Sequence, residues 1–177
     1  MILFLALAIP AQAADNYKVD EGHSAVLFKA HHFGAGYVWG RFNNMEGTFE
    51  VDGKVAKSFQ FSVNTGSVDS GNEKRDKHLR SPDFLSADEF PTATFTSKSC
   101  DAKGCTGDFT LHGVTKQIVV PLTYTGEGKD PWGGYRLGFE TQFTINSADY
   151  RVGQPGPADG IGDELTLTVA VEGKKKK

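Results

Sequence analysis

Leu137-Gly138-Phe139-Glu140-Thr141-Gln142-Phe143-Thr144-Ile145 decides the fold class, and Leu165-Thr166-Leu167-Thr168-Val169-Ala170-Val171 repeats its pattern. In the first stretch Leu137, Phe139, Phe143 and Ile145 share one parity, while Glu140, Gln142 and Thr144 hold the other. Successive strand residues point to opposite faces, so each stretch makes a strand with one apolar and one wet side. Working outward, Phe59, Phe61 and Val63 alternate with Gln60, Ser62 and Asn64, and Ile118, Val120 and Leu122 run on to Tyr124. Val26–Phe28, Val38–Phe42, Phe49–Val51, Phe95 between Thr94 and Thr96, and Phe109–Leu111 read as less regular strands. Turn signals part them at Asp52-Gly53, Lys103-Gly104, His112-Gly113 and Trp132-Gly133-Gly134. The pattern predicts an all-β chain of about eight antiparallel strands.

Composition agrees. A chain of 177 residues makes one ordinary domain. With 38% hydrophobic and 23% charged residues it is neither a disordered polar chain nor a membrane bundle. The 21 glycines and 13 phenylalanines suit strands and tight turns. The net charge of −3 includes the terminal run Lys174–Lys177, without which the body carries −7. That excludes the concentrated basic face a nucleic-acid binder needs.

Two segments stand apart from the strands. Ile2–Ile9 is an unbroken apolar run, followed by Pro10 and the small-x-small site Ala11-Gln12-Ala13. Residues 1–13 therefore read as a secretory signal peptide cleaved near Ala13-Ala14, too short to span a bilayer, ahead of one domain over 14–177. Asp69–Pro91 is the second. Ser70-Gly71-Asn72-Glu73 has the form of a capping box opening a short charged helix through Leu79, and Ser81-Pro82 resembles a second helix start. This helical insertion, about 70–90, carries Leu79, Phe84, Leu85 and Phe90, which must pack on an open end or edge of the sheet.

Export bears on Cys100 and Cys105, which bracket a turn-rich tetrapeptide between β-like runs. In an oxidising compartment they are expected to pair across the hairpin neck. No metal site is expected: two thiols without nearby His or acidic partners fall short of a ligand set. His31-His32 cannot both reach one ion from adjacent strand positions. Gly34-Ala35-Gly36 through Gly40 lacks the spacing and following helix of a dinucleotide loop, and Gly22-His23-Ser24 lacks the later glycine of a nucleophile elbow. Asp130 and Glu140 could approach across a hairpin, but two carboxylates without a defined pocket do not make an active site. No catalytic residues and no cofactor are assigned.

Periodicity leaves the enclosure of the apolar faces open. Eight strands make either a two-sheet sandwich with a solid core or a barrel just wide enough for its own side chains or one slender ligand. Strand parity puts Phe28, Phe42, Phe61, Phe95, Phe109, Leu111, Phe139 and Phe143 on the inner side, where each serves as core or as lining.

Several stretches resemble the YceI-like family of lipocalin-like, polyisoprenoid-binding periplasmic proteins. The resemblance begins at Tyr17-Lys18-Val19-Asp20 and His23-Ser24 and is strongest in Val68-Asp69 and from Glu73 to Leu85. It continues in Phe90–Phe95, Gly107–Lys116, Asp130–Gly134 and Val171-Glu172-Gly173. Cys100, Cys105 and the terminal lysines lie outside it. The resemblance implies an eight-stranded antiparallel lipocalin-like barrel with a helical insertion, in a periplasmic protein, commonly a homodimer and not an enzyme. It also implies an apolar channel that sequesters or transports a polyprenyl, quinone-type or related long-chain lipid, without stable membrane insertion. The eight inner residues above then become candidates for channel lining. Arg75, Lys77, His78 and Arg80 of the insertion become candidates to meet a head group, and Trp132 to shape a mouth. The second reading is a ligand-free β-domain acting as a stress-related or adhesion interaction module.

Overall fold

The computed structural model describes residues 14–153 and 160–176, so the expected signal peptide lies outside the described residues. In chain order the elements are β1 Asp15–Val19, β2 Ala25–His32, β3 Gly36–Phe42, β4 Met45–Asp52, β5 Val55–Asn64, β6 Val68–Asp69 and α1 Glu73–Arg80. They continue with β7 Thr92–Asp101, β8 Gly104–Leu111, β9 Val114–Pro121, β10 Thr123–Lys129, β11 Tyr135–Asn146 and β12 Ile161–Lys175.

These segments follow eight antiparallel tracks, because several breaks bend a strand without ending its course. β1 and β2 share one edge of β12, on either side of a 3-10 turn at Glu21–His23. β4 pairs with β1 and β3 with β2, parted only by Asn43-Asn44. β5 and β6 extend the sheet on β4 and β3 in turn, and β7, β8 and β9 follow. The ring closes through β9 and β10: β9 pairs with β8, β10 with β11, and β11 with β12. The eight-stranded barrel is therefore present, with β12 hydrogen-bonded along both edges.

The run from Ile118 to Tyr124 breaks at Leu122, where the strand leaves β8 for β11; the Leu122 amide donates to Lys103 O. The β10–β11 ladder ends at the Thr123–Glu140 pair, and beyond it β9 and the later half of β11 lie side by side.

The helix starts two residues later than the capping-box reading placed it. Asn72, not Ser70, is the N-cap, its Oδ1 accepting from the Arg75 amide at 3.0 Å. Ser70 is engaged otherwise: its amide and its hydroxyl both donate to Asp76 Oδ1, which buries the carboxylate. The second helix start does not form either. The amides of Phe84 and Ser86 turn back to Ser81 O, making a chain of turns that drives Phe84 and Leu85 inward.

Inside the ring, aromatic side chains stack closely at one end. Tyr17 stacks on Phe49 at 5.2 Å and Phe49 on Phe59 at 4.9 Å, while Phe139 meets both edge-on at 5.9 and 5.7 Å. Burial in this plug pushes the Tyr17 phenol up to about 12, with nearby Asp15 adding to the shift. Glycines make room for the rings. A Cβ on Gly173 would strike the Phe49 ring, and one on Gly40 would strike Phe28, its cross-strand partner. At the other end Leu85, from the insertion, packs with Phe28, Val68, Phe109, Leu111, Ile145, Tyr150 and Leu167.

Candidate functional site

Between these clusters lies a hollow with 1020 Å³ of atom-free space, solvent at its mouth included. Its wall is almost wholly apolar because the inward parity of the strands delivers Phe, Val and Leu there. Phe42, Phe61, Phe95, Phe109, Leu111, Phe139 and Phe143 all line it. Phe109 faces Phe143 edge-on at 6.1 Å in this wall. Phe28 stands elsewhere, in the wall of an adjoining hollow beneath α1, with 1250 Å³ of atom-free space when the open solvent at its mouth is included. The two hollows share Phe42, Leu85, Val152 and Leu165, so the inner one continues toward the helical insertion.

The structure separates the five head-group and mouth candidates, and Lys77 is exposed, outside both walls. Arg75 and His78 line the outer hollow. Arg75 is held in place, Nε donating to Ser70 Oγ and Nη2 to Ser70 O, both at 2.7 Å. His78 lies 3.3 Å from Asp83 Oδ2 and edge-on to Phe84. Arg80 lies outside both walls and donates to Val68 O at 3.3 Å. Trp132 is 84% exposed on the β10–β11 turn, outside both walls as well. The insertion thus brings Arg75 and His78 to the outer hollow, but the local chain already engages both.

Cys100 and Cys105 face one another across the β7–β8 neck and are joined by a disulfide. Cys105 is fully buried and its side of the bridge lines the inner hollow. The staple therefore holds a piece of the wall.

One polar assembly has no counterpart in the sequence reading. Arg136 donates to Asp20 Oδ2 at 2.7 Å, to Asp130 Oδ2 at 3.1 Å and to Glu172 Oε1. Lys174 adds a 2.9 Å bridge to Asp20. Lys174, with Arg136 and His23, holds the Asp20 carboxyl far below the usual range, against the opposing pull of burial. The Gly134 amide, aided by Arg136 and the Trp132 amide, lowers that of Asp130. Glu172, then Asp20 and Asp130, raise the Arg136 guanidinium above its ordinary value. Among the described residues Asp20, His23 and Glu172 also lie close enough to share a cation, but Arg136 and Lys174 already neutralise those carboxylates. This is a clamp joining the β1–β2 corner, the β10–β11 turn and β12. His31 and His32 are both exposed, His31 against Tyr37 and His32 at the outer hollow. Glu140 is exposed, and Asp130 belongs to the clamp.

Comparison with known proteins places this architecture. A UPF0312 protein of Shewanella sp. (strain MR-7) is 45% identical, covering 98% of this chain and 94% of its own. BcnA of Burkholderia cenocepacia superposes with a TM-score of 0.77 at 22% identity, covering 87% of this chain and 98% of that one. A polyisoprenoid binding domain from Saccharophagus degradans superposes with a TM-score of 0.70 at 17% identity, covering 90% and 98%. The model of the YceI-like domain matches residues 17–173, nearly the whole described barrel, and the chain belongs to the YceI-like family.

Proposed function

We propose that this protein is a non-enzymatic carrier that shelters a long-chain isoprenoid or related lipid in the barrel, working in the periplasm after its signal peptide is removed. The observation that carries the reading is the apolar hollow, bordered by the ring cluster at one end and continuing to the helical insertion at the other. A polyprenyl chain offers no hydrogen bonds, so its site needs length, exclusion of water and rings against methyl-branched alkenes. At about 0.3 kcal/mol per atom, a sheathed tail of about 40 carbons gains roughly 12 kcal/mol, which is nanomolar binding. The YceI-like family and the polyisoprenoid-binding fold neighbour support this ligand class. Among the described residues no helix is long and apolar enough to cross a membrane. A homodimer is part of the same proposal, on family grounds alone.

Organic extraction of the purified protein followed by mass spectrometry tests the reading. One long-chain lipid per chain is expected. No lipid from any expression host, together with no uptake of added polyprenol, would overturn it.

A further inference from the structure

Among the described residues three buried side-chain polar atoms lack a partner: both ring nitrogens of His112 and Thr141 Oγ1. His112 packs against Phe90 at the β8–β9 turn, outside the hollows. Thr141 stands in the inner wall itself. It falls between Phe139 and Phe143 on the inward face of β11, it is 9% exposed, and it lines the hollow. A hydroxyl removed from water without a partner is destabilising, whereas valine would fill the same volume at no such cost. If the ligand were hydrocarbon throughout, this position would gain nothing from an oxygen.

We propose that Thr141 Oγ1 is a ligand-binding group, seating a neutral hydroxyl or carbonyl oxygen of the bound amphiphile part-way down the channel. The inference rests on the carrier reading above and adds the polarity and orientation of its ligand. A threonine hydroxyl both donates and accepts, so it serves a ketone or an alcohol equally. The group is not an anion because no lysine, arginine or histidine lines this hollow, and it is neutral because one hydroxyl cannot offset the desolvation of a charge. Glu140, which also borders the hollow, is exposed on the other parity of β11. Beyond Phe139 the ring plug blocks further passage, so the polar group goes in first. The chain then trails past Phe109 and Leu85 toward the helical insertion. A charged head group has no such seat and would stay outside.

The test compares two probes, geranylgeraniol and the hydrocarbon of equal length lacking its hydroxyl, by displacement of a fluorescent apolar dye from the full-length protein. In Thr141→Val the alcohol is expected to weaken roughly 3–10-fold, the loss of one buried hydrogen bond, while the hydrocarbon is unchanged or tighter. Thr141→Ser, which keeps the hydroxyl, should retain the preference for the alcohol. Ligand-free Thr141→Val should melt no lower than the parent, which shows that any loss of binding is not a loss of fold. Equal effects on both probes, or an alcohol indifferent to the change, would overturn the Thr141 assignment and leave the carrier reading standing. Neither probe binding the parent protein would overturn both.

Discussion

Phe139 belongs both to the ring plug and to the wall of the hollow, so its truncation strikes two properties together. Phe139→Ala should lower unfolding stability by about 3–5 kcal/mol in urea titration, in the range for a buried aromatic. It should also weaken polyprenol binding at least tenfold; unchanged affinity in a folded variant would remove the ring from the ligand's path. Gly40→Val makes the reverse test. Its side chain would collide with Phe28, and overpacking of this kind costs about 1–3 kcal/mol, read as a lowered melting temperature. Parity was enough to choose which phenylalanines turn inward, because a strand has only two faces. It carried no information on height along the barrel. Hence Phe28 and Phe139, indistinguishable by pattern, fall in the outer hollow and at the plug. Thr141 shares the inward parity of Phe139 and Phe143, but an apolar alternation does not mark a hydroxyl residue.

At the level of elements, the α1 N-terminus depends on one side chain. Asn72→Ala removes the cap on the Arg75 amide and should cost about 1 kcal/mol, measured by chemical denaturation, while Ser70→Ala should instead disturb the buried Asp76. The Cys100–Cys105 bridge closes a small loop, so reducing it should cost roughly 2 kcal/mol of stability and leave the barrel folded. A collapse of the far-ultraviolet strand signal on reduction would contradict that modest role. The hairpin was legible because its two cysteines flank a turn. The helix start was displaced by two residues because Ser70 had a stronger competitor in Asp76, a contact no local motif announces. The break at Leu122 was illegible for a similar reason. The alternation runs through it unbroken, and only the change of partner from β8 to β11 divides the strand.

The whole molecule is tied together by the Arg136 clamp, whose acids come from positions 20, 130 and 172. No spacing in the chain reveals it, since the pairing of β12 with both β1 and β11 is what brings those residues together. The Asp20 carboxyl is lower in the folded protein than in the unfolded chain, so its contribution to stability is complete above about pH 4. That contribution is lost as pH falls below this value and the unfolded chain takes up the proton first. Asp20→Asn should therefore be less stable than the parent at pH 7, and the two melting temperatures should converge on acidification; a constant gap down to pH 2 would contradict the clamp. The carrier account itself depends on whether the space between the ring plug and the insertion receives a lipid chain. A crystal structure of the protein incubated with a long-chain polyprenol measures this most directly. The account predicts continuous density from Thr141 past Phe109 and Leu85 toward α1. A hollow filled by its own side chains or by water, with the polyprenol absent or bound outside the ring, would contradict it.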